Sequence, residues 1–590
     1  MSEFSKVVIT KKGQALMAKL MSGSGKVEFT EIRVSETAYT EAQLENLTAL
    51  TNIKQTTAVS KVTRTNEVAV QVEGAVGNES LTVGYYMRTI GLFAKDPQDG
   101  IILFAVTTAQ QAGFMPPFNG KTTSGAHFKI VTTIGNSSNV TIQVDPAAVA
   151  TIGDVRDLEA QIIDLKSYVG YKDEDILGLE VDFKASKFTR LSGAVNRTPG
   201  ASFDGFKMFG GRKRCMLTDD GVNLGYLGDA GYTETGALAQ SITENEVTYP
   251  VGTPVQVMVE QPKFYYKVVP LVTEKIEGGK GHHLRKARYY VSDTPKLGFK
   301  LHPAFIKNGE VLNRIYLSAY EGSLYDVSAS AYNLIDDQAG DFTVTTGDKL
   351  SSIANAKPAS GLTQNLTRSG ARIVAQNRGA GWELMYAATA AATQLLFAIE
   401  YGTFNTQTAI GMGVSKTDDG ATNMSDPTGA TSALGNASGK AESGSVTYRG
   451  EENFWMNINT WVDGMNIKPQ NINELYVADH NFSDEKGDGS YENAGITVAK
   501  VNGFVSAFAY NELFDWLFIP SDTVGGNSSV PVGDYFYQNA VSTAGWFAAF
   551  LGGSWYNSSY NGGFRWTLSN SSASRARYRG ARLVYAAKNL

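Results

Sequence analysis

Cysteine and histidine are scarce in this sequence. Cys215 is the only cysteine among 590 residues, and the last of the five histidines is His480. A single cysteine can form neither an intrachain disulfide nor a cysteine-rich zinc site. A Ser-His-Asp triad needs a histidine near its nucleophile. The scarcity therefore excludes a disulfide framework and leaves the last hundred residues without a histidine base.

Long apolar runs and excess positive charge are also missing. No segment reaches the roughly 18–20 uninterrupted apolar residues that a membrane-spanning helix requires. Near the start, Glu3 and Lys6 stand where a signal peptide would have an apolar core. The net charge of −6 argues against a protein that coats nucleic acid. We expect a chain made in the cytoplasm without a signal peptide, with no membrane insertion and no nucleic-acid partner.

The sequence is rich in glycine and aromatic residues. It contains 61 glycines, 28 tyrosines and 28 phenylalanines, and 42% of its residues are hydrophobic. Such a composition indicates short strands and many turns around sizeable cores. At about 150 residues per domain, the length suggests three or four units. The expected fold class is a β-rich α+β protein.

Residues 1–150 have the pattern of one α+β domain. A short helix is predicted at Thr10–Met21, because its apolar residues recur at helical spacing and Ser-Gly pairs follow it. Alternation of apolar and polar residues then predicts half-buried strands. These strands are 27–34, 67–76, 86–95, 100–108, 127–134 and 140–145.

A heptad pattern follows, in residues 151–181. Apolar residues recur at spacings of 3, 4, 3 and 4, with charged residues between them. They are Val155, Leu158, Ile162, Leu165 and Val169. The pattern predicts a short coiled-coil stalk, although an amphipathic helix that packs on its own chain remains an alternative. Valine or isoleucine at a and leucine at d suit dimers, so the seam by itself does not specify a trimer.

Beyond the stalk we predict a β-rich lead-in at 182–250 and a last domain at 251–590. Within the last domain, 254–269 and 311–320 have strand composition, and 381–401 predicts one long helix with small residues on its face.

The C-terminal region has the composition of a binding surface. Between Gly552 and Ser574, 16 of 23 residues are Gly, Ser, Asn or Tyr, which is typical of antibody paratopes. A glycine-rich β-domain with a purely structural aromatic core is the alternative. After this window, Arg575, Arg577 and Arg579 alternate with Ala576 and Tyr578, and a strand would place the three arginines on one face.

Several motifs in the last domain resemble a known family. They are WVDGMNI (461–467) after RGEENFW (449–455), GWELMYAATAAATQLLFAIEYGTFNTQTAIGMG (381–413), and the C-terminal GGSW (552–555) and RGARLVYA (579–586). These resemble the C-type-lectin fold, in its sulfatase-modifying-factor-like version. Phage receptor-binding proteins of the major-tropism-determinant type, which retroelements diversify, use that version. The opening segments VMVEQPKFYYKVV (257–269) and LHPAF…IYLSAYEG (301–322) are similar to the first strands of the same domain.

The resemblance implies which residues vary and contact a receptor. The implied variable positions are Phe547, Ala549, Tyr556, Asn557, Ser559, Tyr560, Arg565, Thr567, Ser569, Asn570, Ala576 and Tyr578. The implied constant scaffold is Gly552, Gly553, Ser554, Trp555, Trp566, Gly580 and Arg582. No catalytic residue, metal or cofactor is implied, because the copper-binding enzymes of this fold use a cysteine pair.

The N-terminal third resembles the attachment domain of contractile-phage tail fibres. FSKVVITKKGQALMAKLMSGSGKVEFTEIRVS (4–35) and YMRTIGLFAK (86–95) carry this resemblance. It implies a virion protein whose residues 1–150 bind the baseplate, and a homotrimeric fibre.

Together these patterns predict a tail-fibre adhesin, not an enzyme, that binds a protein or glycan receptor on the host surface. One alternative is a tail-borne polysaccharide depolymerase, for which Asp418-Asp419 and Asp219-Asp220 are candidate carboxylates. Their glycine neighbours favour turns, and His282-His283 fits a solvated hairpin better than a catalytic base. The fibre of a phage-tail-like bacteriocin is a further alternative.

Overall fold

The computed structural model describes most of the chain, in two compact units, Met1–Leu165 and Lys166–Leu590. The described residues are 3–21, 27–66, 69–120, 123–133, 143–145, 171–468, 473–484, 487, 489–526, 530–538 and 545–588. The predicted stalk seam, Val155, Leu158, Ile162, Leu165 and Val169, lies outside them.

The described part of the first unit contains two helices and ten strands. The helices are α1 (Lys11–Met21) and α2 (Glu41–Leu44). The strands are β1 (Glu3–Phe4), β2 (Val8–Ile9), β3 (Phe29–Ser35), β4 (Ile53–Ala58), β5 (Lys61–Asn66), β6 (Ala69–Gly77), β7 (Tyr85–Asp96), β8 (Gly100–Met115), β9 (Gly125–Thr133) and β10 (Gln143–Asp145). One sheet has the order β1-β8-β7-β3-β4, with β2 also on β8, and the other has the order β10-β9-β6-β5.

Helix α1 lies directly against the first sheet. Thr10 accepts a hydrogen bond from the backbone N–H of Gly13 at 3.1 Å and so caps the helix start. A Cβ on Gly13 would stand 2.2 Å from the carbonyl oxygen of Phe104 on β8, so only glycine permits this approach. Leu16 is fully buried against the sheet. The predicted helix and the strands predicted around β3, β6, β7, β8 and β9 are confirmed.

The second unit contains four α-helices and thirty strands within its described residues. The helices are α3 (Lys207–Gly210), α4 (Arg368–Gln376), α5 (Ala387–Tyr401) and α6 (Thr406–Ala409). The first fifteen strands are β11 (Leu177–Asp182), β12 (Lys187–Ser192), β13 (Lys213–Leu217), β14 (Asn223–Tyr226), β15 (Ile242–Glu244), β16 (Val247–Tyr249), β17 (Gln256–Pro262), β18 (Tyr265–Lys275), β19 (His282–Ser292), β20 (Lys300–Leu301), β21 (Ile306–Lys307), β22 (Glu310–Val311), β23 (Arg314–Ser318), β24 (Ser323–Asp326) and β25 (Ala331–Asn333). The others are β26 (Lys349–Ser351), β27 (Trp382–Leu384), β28 (Gly439–Lys440), β29 (Val446–Tyr448), β30 (Glu451–Glu452), β31 (Asn459–Lys468), β32 (Glu474–Val477), β33 (Glu492–Thr497), β34 (Gly503–Tyr510), β35 (Pro520–Val524), β36 (Tyr535–Gln538), β37 (Phe547–Leu551), β38 (Trp566–Asn570), β39 (Arg579–Gly580) and β40 (Leu583–Tyr585).

Two large sheets organise the second unit. The larger has the order β12-β11-β19-β34-β36-β38-β37-β31-β32-β33, and β39 pairs with β31 at its side. The smaller has the order β14-β13-β17-β23-β40-β27. The predicted lead-in, 182–250, supplies β12 to the larger sheet and β13 and β14 to the smaller one. Cys215 lies on β13 and is fully buried.

Two predicted boundaries are wrong. The end of the predicted stalk segment 151–181 belongs to β11, where Leu177, Leu179 and Val181 alternate with polar or small residues and are fully buried in the sheet. The predicted helix at 381–401 starts only at Ala387, because Trp382–Leu384 pairs with the C-terminal strand β40. Helix α5 itself is buried all round except at Tyr401, as expected for a helix without a polar face.

None of the helices in the described part of the chain combines the length and the apolar content needed to cross a membrane.

Candidate functional site

Strand β38 shows how one sequence presents two different faces. Trp566 and Leu568 are fully buried in the core, and the Trp566 indole N–H donates to the Phe518 carbonyl at 2.9 Å. Thr567 and Ser569 alternate with them and so lie on the opposite face. The strand thus provides a rigid apolar base and a row of hydroxyl groups.

Neighbouring strands extend this polar face. In the parallel pair β36–β38, Tyr537 lies opposite Thr567, and in the antiparallel pair β37–β38, Phe550 lies opposite the same residue. On the far side β39 runs parallel to β31, with Arg579 opposite Asn459. Register therefore brings residues from five strands onto one surface.

Two pairs of aromatic rings lie beside the polar face that these strands form. Tyr535 and Tyr560 have ring centroids 4.9 Å apart, and Tyr556 and Tyr578 have theirs 5.0 Å apart. Their interplanar angles of 59° and 67° are in the range that aromatic pairs favour. Each pair joins residues that are distant in sequence.

A short turn positions Tyr556 and Tyr560. Asn557 accepts hydrogen bonds from the Ser554 backbone N–H at 3.2 Å and from the Ser554 hydroxyl at 3.0 Å. Asn561 donates to the Ser554 carbonyl at 2.8 Å and closes the turn. Gly553 precedes it with a φ of 79°, and a Cβ there would overlap the Asn561 side chain. This explains why the turn starts with glycine.

Together the polar face of the strands and this turn line a half-open pocket of about 410 Å³. It is lined by Asn459, Tyr535, Tyr537, Phe550, Tyr556, Asn557, Tyr560, Arg565, Thr567, Ser569, Asn570, Tyr578 and Arg579. The structure thus gathers eight of the twelve predicted positions: Tyr556, Asn557, Tyr560, Arg565, Thr567, Ser569, Asn570 and Tyr578. Sequence reasoning missed Asn459, Tyr535, Tyr537, Phe550 and Arg579, although the alternation in Tyr535-Phe536-Tyr537 was a signal for two of them.

The other four predicted positions lie elsewhere. Phe547 and Ala549 are buried in the hydrophobic core, which does not fit a presented position, because strand alternation places them on the core face of β37 with Leu551. Ser559 is exposed beside the pocket, and its carbonyl accepts a hydrogen bond from Gln407 at 2.9 Å. Ala576 is half-buried, and its carbonyl accepts from the backbone of Gly361.

The prediction that three alternating arginines share one strand face is wrong. Only Arg579 belongs to a strand, because the preceding segment folds into a turn in which the Ala576 carbonyl accepts from the backbone N–H groups of Arg579 and Gly361. Arg577 forms ion pairs with Asp418 and Asp419. Arg575 donates to Asn365, so the three side chains have three different partners.

The residues implied as scaffold are buried. Trp555 and Trp566 are inaccessible, and Arg582 donates to the backbone carbonyls of Ser318, Glu452 and Asn453 at 3.1, 2.8 and 3.2 Å.

Burial sets the electrostatics of the pocket. It lowers the pKa of the Arg565 guanidinium to about 10 and also lowers the pKa of Arg579. Burial, with a further contribution from Tyr578, raises the pKa of Tyr556 to about 12. At neutral pH Tyr556 therefore presents a hydroxyl group, and Arg565 and Arg579 are cations with little access to water.

The carboxylates considered for catalysis lie outside this pocket and are engaged. A hydrogen bond from Arg577 lowers the pKa of Asp418, and the Thr422 hydroxyl, followed by backbone N–H groups, lowers the pKa of Asp419 to about 2. Asp219 accepts from Arg378 and Lys349. Among the described residues, no cluster of histidine, cysteine or acidic side chains is arranged to hold a metal ion.

The first unit matches a known family. Residues 1–153 match the model of the phage tail-collar fibre protein, N-terminal. The first unit is therefore similar to the N-terminal domain of a phage tail fibre. This match supports the prediction of a tail-fibre protein of the virion.

Two solved structures are similar to the chain. The Major Tropism Determinant U1 Variant is 13% identical, with coverage of 61% of this chain and 73% of that chain and a TM-score of 0.22. The Major Tropism Determinant P3c Variant is 13% identical, with coverage of 63% and 72% and a TM-score of 0.21. No curated protein matches the chain.

Proposed function

We propose that the protein is a tail-fibre adhesin that attaches a phage particle to its host by binding alone. Residues 1–150 attach the fibre to the baseplate, and the second unit binds a cell-surface receptor through the tyrosine-lined pocket. The family match supports the first role. The pocket supports the second.

The single observation that carries the proposal is the composition of the pocket lining. Five tyrosines supply large, rigid contact surfaces with few rotatable bonds, and asparagine, serine and threonine supply adaptable hydrogen bonds. Tyrosine rings are apolar on their faces and polar at one end, so they suit a ligand that is partly apolar and partly hydrated.

We further propose that this pocket is the diversified surface of a C-type-lectin-like domain. Strand β38 alternates buried and pocket-facing residues, so exchanges at Thr567 or Ser569 alter the contact chemistry and leave the core unchanged. Sequencing codons 535–585 across a population of the source particles tests this. Substitutions should cluster at pocket positions while Trp566 and Gly553 stay constant, and a uniform region would remove the diversification from the proposal.

A stalk formed by the heptad seam, Val155 to Val169, and a homotrimeric state complete the proposal. Three heads on one fibre would raise avidity far above the affinity of a single site. Sedimentation of the full chain distinguishes a trimer from the monomer expected if the seam packs on its own chain.

The test of the adhesin role is a triple variant of the full chain, Tyr556→Ala, Tyr560→Ala and Tyr578→Ala. We expect its binding to host cells to be lost, because both aromatic pairs are broken, while its melting temperature changes little. Tyr86→Ala is a matched control, because Tyr86 on the first unit is 46% exposed and Tyr560 is 48% exposed. If the triple variant binds cells like the unmodified protein, the pocket is not the receptor site.

The depolymerase alternative predicts a different site. Hydrolysis of a glycosidic bond generally needs two carboxyl groups on either side of it. The candidates Asp418 and Asp419 instead form ion pairs with Arg577. Incubation of the protein with host envelope should therefore leave the polysaccharide intact, and release of oligosaccharides would favour the enzyme.

A further inference from the structure

The pocket contains two cationic side chains, and no carboxylate is among its described lining residues. Arg565 and Arg579 are 8% and 5% exposed. The other lining residues are tyrosine, phenylalanine, asparagine, serine and threonine. Buried charges in proteins are almost always paired, because an unpaired one loses its hydration without compensation.

Arg565 has little compensation from the protein. One terminal nitrogen of its guanidinium donates to Asn561, while its Nε has no hydrogen-bond partner. No described carboxylate lies within ion-pair distance of it. The carboxylate whose charge acts on Arg565 is that of Asp534, which is itself buried and accepts from the Phe564 backbone N–H at 2.8 Å. Burial raises the pKa of Asp534, which favours its neutral form.

Arg579 is held by aromatic rings and one hydroxyl group. Its guanidinium carbon lies 5.0 Å from the Phe550 ring centroid and 5.4 Å from that of Tyr578. One terminal nitrogen donates to the Ser574 hydroxyl, and its Nε has no partner. These rings orient the cation without neutralising it.

Three other buried arginines of the same unit pair with carboxylates, and Arg582 instead donates to three backbone carbonyls. Arg214 pairs with Glu234 at 2.9 Å and Arg449 with Glu400 at 2.6 Å. Arg372 pairs with Asp463 at 2.7 Å. The contrast indicates that the negative partner of the two pocket arginines is supplied from outside the chain.

Building on the function proposed above, we propose that the pocket binds an acidic sugar of the host-surface polysaccharide, with its carboxylate at Arg565 and Arg579. Planar guanidinium groups match a carboxylate with two parallel hydrogen bonds. The amide and hydroxyl groups of Asn459, Asn557 and Thr567 suit sugar hydroxyls, and the tyrosine faces suit the less polar face of a sugar ring. A half-open pocket of about 410 Å³ matches small-ligand sites better than the broad surface that a protein partner covers.

The first test uses the unmodified full chain and host cells treated in three ways. Periodate cleaves sugar diols, protease removes surface proteins, and carbodiimide with ethanolamine converts surface carboxylates into neutral amides. We expect binding to be lost after periodate and after amidation but kept after protease. Binding that survives amidation would overturn the inference that the ligand carries a carboxylate. Binding that is lost with protease and kept with periodate would assign a protein receptor instead.

The second test asks whether binding depends on the two pocket arginines in particular or on the positive charge of the protein in general. Arg565→Gln and Arg579→Gln should each weaken binding by about tenfold or more, as loss of a charged hydrogen bond does. Arg575→Gln removes the same charge at an exposed position outside the pocket and should leave binding unchanged. If Arg565→Gln fails to fold, Arg565→Lys replaces it in the test. This variant keeps the charge and should retain part of the binding. Equal binding by folded Gln variants and unmodified protein would overturn the proposal.

Failure of this inference differs from failure of the adhesin role. If the full chain does not bind untreated host cells, the proposed function fails. If it binds them and the triple tyrosine variant does not, but amidation has no effect, only the acidic-sugar inference fails.

Discussion

Two groups of aromatic rings in the second unit have the same spacing but different surroundings. In the core, Phe404 lies 5.2 Å from Phe508 and 5.0 Å from Phe564, all fully or almost fully buried. In the pocket, Tyr535 and Tyr560 are 4.9 Å apart, yet Tyr560 is half exposed. Ring contacts alone therefore do not distinguish scaffold from binding surface. Burial on all sides does, because only a fully enclosed ring leaves a cavity when it is removed.

The largest expected effect on stability is that of Trp566→Ala. Trp566 is completely buried and bonded to the Phe518 carbonyl, so its loss should destabilise the fold by about 3–5 kcal/mol. Chemical denaturation of the full chain measures this, with Tyr86→Ala as the control for an exposed ring. An unchanged transition midpoint would mean that Trp566 is not part of the scaffold, and that full burial does not distinguish structural rings from binding rings.

A second effect concerns His302, a titratable ring within the aromatic core. Its ring centroid lies 4.9 Å from that of Phe264 and 5.4 Å from that of Tyr266. Burial lowers the pKa of His302 from 6.5 to about 3. The unfolded chain therefore takes up a proton below pH 6.5 that the folded chain does not. Because of His302, the free energy of unfolding should fall by about 1.4 kcal/mol for each unit by which the pH is lowered between about 6 and 4.

His302→Asn isolates this contribution. Asparagine can still accept the Ala304 backbone N–H that His302 accepts at 3.3 Å, and it does not titrate. The variant should show a shallower fall of stability with acidification. Parallel pH profiles for the two proteins would mean that His302 is protonated in the folded state.

The smallest expected effect is that of Arg577→Gln, outside the pocket. Arg577 lowers the pKa of Asp418, so its ion pair contributes stability at neutral pH that is lost as Asp418 becomes protonated. Unmodified protein should be slightly more stable than the variant at pH 7, and the difference should shrink below about pH 4. Cell binding should not change. A large binding defect would extend the receptor surface beyond the pocket.

Sequence alone could predict the half of the site that is local in the chain. Alternation in Trp566–Asn570 predicts which residues face the core, and the Ser-Asn-Tyr composition of 552–574 indicates a presented turn. Asn459 and Arg579 reach the pocket through a strand pairing between distant segments, which no local pattern encodes. The error at Arg575 and Arg577 has the same origin, because contacts with Gly361 and Asp418 determine that turn.

The fold shows the same division. Helix α1 and strands β3, β6, β7, β8 and β9 follow from local periodicity, whereas Trp382–Leu384 is a strand only because β40 pairs with it. The heptad seam is a local pattern as well, and its role in the stalk stays a prediction.

The buried position of Cys215 has a practical consequence for measuring binding. Burial raises the pKa of this thiol well above its usual value, so labelling reagents should not modify it in the folded protein. Ser559→Cys would then be the single reactive thiol in the chain, on the exposed turn next to the pocket. A fluorophore attached there could report occupancy of the pocket directly, without a background label to remove.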